Sequence, residues 1–231
     1  MSRPASPSAR HAASDRGWAA TTAAIAALPV ELVGAPRLNA ESAALRIMVA
    51  KRKNLKAAPI RRFGDLPKQS VMAVPGGTLV QSTDLGNSET LKSMPKRAWP
   101  ESKNRLGKFG IAVCRSLKSN AIAIVREIPE IPGALQLIGA GQGQPNRVEA
   151  LKALAIPRAE RVLNSSGGHI ENSVMVSDAF FPFRDTVEAA HEAGIEAIIQ
   201  PGGSIKDADS IAACDEFGMM MAFTGVRHFR H

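Results

Sequence analysis

The sequence predicts an α/β protein, and three observations carry that expectation. From Asn120 onward, short aliphatic runs alternate with stretches of helical period, so that residues 173–180, 185–193, 196–200, 204–217 and 219–224 read β-α-β-α-β. Gly194 and Gly218 stand where the two helices must stop. Ahead of them, residues 121–126 and 135–141 are apolar runs joined by a Pro-rich turn, which predicts a hairpin. Strands alternating with helices argue for a sheet with helices packed on it.

The remaining elements follow from local chemistry. Residues 1–16 are rich in Ser, Ala, Arg and Pro and nearly devoid of large apolar side chains. They are expected to be disordered, with a loose likeness to a transit peptide. Residues 17–29 and 40–50 predict short Ala-rich helices, separated by a strand at 30–33 and a turn at Gly34-Ala35-Pro36. Residues 51–70 are basic and broken by Pro59, Gly64 and Pro67, so a loop is expected. Residues 70–81 predict strand, Gly-Gly turn, strand. Residues 82–108 predict a polar surface excursion leading into a helix at 101–117. Residues 147–156 carry Val148, Leu151, Leu154 and Ala155 at helical spacing, and Ser204 is the expected N-cap of the helix at 204–217.

Composition excludes several classes. The 231 residues are 45% hydrophobic and 22% charged, with a mean hydropathy of −0.06, ordinary values for a globular chain. No apolar run approaches the roughly 18 residues of a membrane helix. Cys114 and Cys214 are too few for a disulfide framework or a Cys-rich zinc site. The net charge of +8 is uneven: residues 1–120 hold 20 Lys/Arg against 7 Asp/Glu, and residues 121–231 hold 9 against 14. A basic half beside an acidic half suits an anionic partner, or is only a solvated basic face.

Four segments carry candidate chemistry. Gly139-Ala140-Gly141-Gln142-Gly143 lies between a strand and a helix, where free N–H groups can cradle a phosphate; a plain tight turn explains it equally. Pro201-Gly202-Gly203-Ser204 opens the next helix with the same two readings. Residues 177–185 (SDAFFPFRD) set two aromatics and a proline between Asp178 and Asp185 at a strand–helix junction. Such junctions are where α/β folds bind ligands, although core packing and a helix-terminal carboxylate would leave the same trace. The last five residues, Arg227 to His231, combine phosphate-clamping arginines with histidines that exchange protons near neutrality. His169-Ile170-Glu171 matches half of a zinc-deaminase signature, but the P-C-x-x-C half is missing, so no metal site is expected.

Taken together, Lys118-Ser119-Asn120-Ala121-Ile122, the Gly-Ala-Gly-Gln loop running to Arg147, SDAFFPFRD, QPGGSIKD at 200–207 and the terminal RHFRH resemble one family. It is the AICAR transformylase domain of the bifunctional AICAR transformylase/IMP cyclohydrolase of purine biosynthesis. Residues 118–231 resemble its C-terminal subdomain. Residues 30–117 resemble it more weakly, through Gly34-Ala35-Pro36, residues 51–55 and residues 76–81, and residues 1–29 stand apart. The resemblance implies a cytidine-deaminase-like three-layer α/β unit and a cytoplasmic homodimer. It implies formyl transfer from 10-formyltetrahydrofolate, as co-substrate, to AICAR, with no metal in the chemical step. Asn120, Phe180 and Arg227 are then expected to bind AICAR, with Asn120 and His231 closest to the chemistry. Arg147, Asp185, Ser204 and Ile205 are expected to contact the folate.

The chain departs from the family pattern at one catalytic feature. The family's base is a His preceded by Lys, and the five histidines here follow Arg10, Gly168, Ala190, Arg227 and Arg230. The expectation is therefore a C-terminal portion or short form without the Lys-His half and the cyclohydrolase domain, active once a separate chain supplies the missing half or if another base has taken over. The alternatives are a nucleotide- or folate-binding protein without turnover and, third, a nucleic-acid-binding module. The last lacks a stacking stripe, since aromatics are 4% and Tyr is absent. Neither nucleic acid nor membrane is expected as a partner.

Overall fold

The computed structural model describes residues 31–35, 43–51, 54–59, 67–84, 86 and 90–230. The chain forms two compact units, residues 1–83 and residues 84–231. The expectations for residues 1–29 lie outside the described residues.

In the first unit, β1 (Leu32–Ala35) pairs in parallel with β2 (Lys56–Pro59), and α1 (Ala43–Lys51) lies between them in sequence. This corrects two expectations. Gly34 and Ala35 belong to a strand and not to a turn, and residues 56–59 leave the expected loop to pair with it. Lys-Ala-Ala-Pro has no strand pattern of its own, so the partner strand supplies the reason. The predicted hairpin is present as β3 (Gln69–Val74) and β4 (Gly77–Ser82), reversing at Gly76 with φ of 85°.

The second unit is built on a six-stranded mixed sheet. Its strands are β5 (Lys92–Ser93), β6 (Ile122–Glu127), β7 (Leu135–Gly141), β8 (Val174–Ser177), β9 (Ala197–Gln200) and β10 (Met220–Phe223), in the spatial order β5-β10-β9-β8-β6-β7. β8, β9 and β10 are mutually parallel, while β6 is antiparallel to both β7 and β8. The predicted hairpin and β-α-β-α-β order are therefore present. Residues 90–99 correct the expected polar excursion. Met94 donates its N–H to the Met221 carbonyl at 3.1 Å, and Trp99 is buried with its indole N–H on Asn104 at 3.0 Å.

Period-two burial explains the layering. On one face Ala121, Ala123, Val125, Val174, Val176, Ala197, Ile199, Met220 and Ala222 pack under α2 (Asn104–Cys114). On the other, Ile122, Ile124, Met175, Ile198 and Met221 pack under the later helices. Strands buried on both faces lose the polar alternation of surface strands and read as continuous apolar runs. The result is three layers, helix over sheet over helices.

The helix after β7 is longer than its sequence pattern suggests. α3 (Arg147–Glu149) is capped by Asn146, whose Oδ1 accepts the Glu149 N–H at 2.8 Å. The chain continues through a π-wound turn, Ala150–Ala155, into α4 (Ile156–Ser166). Pro157 removes one helical N–H and crowds the carbonyl four residues back, and the π turn absorbs that insult without ending the helix. α5 (Asp185–Glu192) and α6 (Asp207–Glu216) connect β8, β9 and β10, and Gly194 and Gly218 follow them at positive φ as expected.

The glycines of β7 need correcting. Gly139 and Gly141 lie within the strand, beneath the following helix. A Cβ on Gly141 would stand 1.8 Å from the Ala150 carbonyl oxygen, and one on Gly139 would stand 2.2 Å from that of Ala155. They permit close helix–sheet contact and form no phosphate cradle; Gly143 alone makes a left-handed turn there, at φ 67°.

Two outcomes follow from this packing. Gly141→Ala is expected to cost about 3 kcal/mol in urea unfolding, the upper range for overpacking a core. Burial pushes the Cys214 thiol up to about 12 and the Cys114 thiol well above its usual value, the Asp178 charge adding to the latter. A raised thiol pKa means no thiolate near neutrality, so at pH 8 the folded chain should resist iodoacetamide and the urea-unfolded chain should react at both cysteines.

Candidate functional site

One end of the second unit's sheet gathers every predicted segment. β7, β8, β9 and β10 finish there, and β6, running the opposite way, begins there: Ile122 pairs with both Gly141 and Ser177, and Phe223 with Gln200. Residues 118–121, 142–147, 178–185, 201–207 and 224–230 therefore emerge side by side, though spread over more than a hundred positions. Ligands of open α/β sheets bind at this edge, where loops leave the strand ends.

Asp178 stands at the centre. Its side chain is fully buried, and Oδ1 meets Arg147 at 3.2 Å from Nε and 3.1 Å from Nη2. Its N–H donates to the Ala121 carbonyl at 3.2 Å, and its carbonyl accepts the His228 N–H at 2.9 Å. Arg147, at the first position of α3, thus directs its guanidinium inward, with a side chain 12% exposed.

Asn120 lies just before β6, after a cis peptide from Ser119. Its side-chain amide donates to the carbonyls of Gln144 and Pro145, both at 2.9 Å, so the loop before Arg147 orients it. The same region is tied to the C-terminal strap. Ser119 N–H donates to the Arg230 carbonyl at 2.8 Å, Arg230 N–H to Ser119 Oγ at 3.1 Å, and the Arg230 guanidinium to the Ser116 carbonyl at 2.9 Å.

The aromatic pair divides its work. Phe181 is core, with its N–H held by buried Gln200 at 3.0 Å. Phe180 is half-buried, and the Arg227 guanidinium lies over its ring at 4.5 Å from the centroid. Arg227 also reaches the Gly203 carbonyl at 3.5 Å. Gly202 takes φ 72°, and a Cβ there would stand 2.4 Å from the Phe223 ring, so this loop turns where only glycine fits.

Asp185, Ser204 and Ile205, expected from the resemblance to contact folate, stand at the same edge without being drawn into one cluster. Asp185 is the exposed first residue of α5, Ser204 is half-buried, and Ile205 is fully exposed. Helix α6 begins at Asp207 and not at Ser204. Ser204 Oγ accepts the Lys206 N–H at 3.0 Å in a local turn, and Asp207 reaches back to the Gly203 N–H at 2.7 Å. That amide is therefore occupied by the chain's own carboxylate. Arg184 is engaged by Glu188 and Glu216 at 2.6 and 2.8 Å. His231 lies outside the described residues.

Sequence reasoning missed one participant. Asp84 Oδ2 lies 2.6 Å from His228 Nδ1 and Oδ1 accepts the Gly86 N–H, joining positions 144 residues apart with no local motif to announce the pair. A pocket of about 620 Å³ flanks the same edge, lined by Leu91, Lys92, Met94, Pro201, Phe223 and Thr224 among others.

Comparison with known proteins gives the family. The model of the AICARFT/IMPCHase bienzyme family matches residues 12–158, more than half of the chain. The chain belongs to this family. It is 39% identical over 215 residues to the Bifunctional purine biosynthesis protein PurH of Synechococcus elongatus, covering 92% of this chain and 38% of that protein. It is 40% identical over 204 residues to the protein of the same name from Xylella fastidiosa, covering 87% and 36%. The chain spans a little over a third of the length of these family members.

The buried pair makes a direct prediction. Asp178→Asn leaves the Arg147 charge inside without a counter-charge, and is expected to destabilise the second unit by about 3–5 kcal/mol in chemical denaturation. The conservative exposed change Asp185→Asn should move stability by less than about 0.5 kcal/mol.

Proposed function

We propose that this chain is the nucleotide- and folate-binding part of an AICAR transformylase, acting in purine biosynthesis in the cytoplasm as a homodimer with a cytidine-deaminase-like unit. The observation that carries this reading is the convergence of the five family motifs on one sheet end, with Arg227 over Phe180 and Asn120 oriented beside them. In this reading the Arg227 guanidinium takes the negative charge of AICAR, Phe180 packs on its imidazole, and Asn120 holds its carboxamide. Leaving the Phe180 ring costs Arg227 about 0.5–1 kcal/mol, less than the roughly 1.5–3 kcal/mol of a charged hydrogen bond. Arg147, Asp185 and the backbone at Ser204 and Ile205 contact 10-formyltetrahydrofolate.

The reaction forms a bond between the 5-amino nitrogen of AICAR and the formyl carbon, and breaks the bond from that carbon to N10 of the folate. The amine loses one proton and N10 gains one, giving FAICAR and tetrahydrofolate. A weakly basic amine gains most from being held in line with the carbon, which is the contribution of the residues here. Proton transfer needs a base, and the chain contains no Lys-His dipeptide to match the family's base. Removing such a base lowers rates by about 10²–10⁴-fold. A second reading, binding without turnover, is favoured by that same absence.

Calorimetric titration with AICAR separates these readings from failure. Binding is expected, with Arg227→Ala weakening it about 30-fold, within the range for a lost charged hydrogen bond. Formylation is expected only when a separately produced Lys-His-containing half is added. Binding without turnover in the mixture would establish the second reading, and no binding at millimolar AICAR would overturn both.

A further inference from the structure

We propose that Asp84 and His228 are a positioning pair: by anchoring the strap one residue from Arg227 they hold its guanidinium beside Phe180, stacked on the ring until an anionic nucleotide draws it off. The inference rests on the reading of Arg227 and Phe180 given above and extends it to residues that touch no ligand. His228 is 2% exposed although Arg227 and Phe229, on either side, are exposed. Its backbone N–H is held by the Asp178 carbonyl and its Nδ1 by Asp84 Oδ2 at 2.6 Å. A carboxylate only accepts, so Nδ1 carries the proton in this bond. His228 is thereby fixed at both its backbone N–H and its ring, one residue from Arg227.

That placement matters because Arg227 is otherwise weakly restrained. Among the described residues its contacts are the stack on Phe180 and a long 3.5 Å approach to the Gly203 carbonyl. Without a fixed residue beside it, an arginine on an exposed strap would lose the rotamer order that its binding role requires. Asp84 is itself held in a turn by the Gly86 N–H, so the restraint comes from the opposite end of the second unit's sequence. The pair acts through Arg227, and its loss should change affinity more than fold.

The experiment is NMR of isotope-labelled arginine in the full chain, with AICAR titrations alongside, for Asp84→Asn, His228→Leu and His228→Asn. In the first and second, the ring-current shift of the Arg227 side chain should collapse and the Kd for AICAR should rise about tenfold. His228→Asn, whose amide nitrogen takes the place of Nδ1 and still donates to Asp84, should retain both. In an Arg227→Ala background, Asp84→Asn should leave the Kd nearly unchanged, because a residue acting only through Arg227 has nothing left to position. A lowered Tm with ring-current shift and Kd unaltered would show a purely structural role and overturn the proposal. If the unmodified chain does not bind AICAR, the nucleotide reading fails, and the ring-current comparison then decides the positioning of Arg227 by itself.

Discussion

A single carboxylate, withdrawn completely from water at the end of β8, is the constraint around which the site is built. A buried charge is tolerable only when paired and hydrogen-bonded, so Asp178 requires Arg147. That requirement draws the first turn of α3 against the sheet end and orders the loop that leads into it. The same loop supplies the two carbonyls that orient Asn120. Through its backbone, Asp178 also joins Ala121, just ahead of β6, and the strap at His228. One residue thus connects three of the converging segments, and none of those connections uses a surface side chain that solvent or salt could weaken.

The mixed direction of the sheet is what brings so many segments to one place. Had β6 run parallel to β8, Asn120 would lie at the far end, remote from Phe180 and Arg227. Reversal of β6 places its first residue beside the last residues of β7 and β8. Helices close enough to bury both sheet faces then demand glycine in β7, where a methyl group would strike the backbone carbonyls of Ala150 and Ala155. A Gly-rich stretch that reads as a ligand loop is there a packing device.

Family membership and length meet at the chemistry. The chain shares about two-fifths of its residues with PurH proteins while spanning a little over a third of them. What its second unit carries is a three-layer arrangement, a buried ion pair and a C-terminal strap tied to Ser116, Ser119 and Asp178. The scaffold orients Asn120 and sets Arg227 over Phe180 at one sheet end.

The alternating strands, the glycine stops at Gly194 and Gly218, and the motif segments around Asn120, Phe180 and Arg227 were legible in the sequence, because each depends on side-chain periodicity, backbone freedom or a contiguous string of residues. Local pattern failed where a distant partner decides. Lys56 to Pro59 becomes a strand only because Leu32 to Ala35 lies beside it. The helix from Arg147 runs past Pro157 only because a π turn accommodates the ring. Asp84 carries no signal at all until the fold brings His228 to it from 144 positions away. The sequence by itself determined the layers, the family and the segments that hold the site. Tertiary structure alone decided which charges inside it are paired, since pairing depends on distance through space and on exclusion from water, and neither is written in the order of residues.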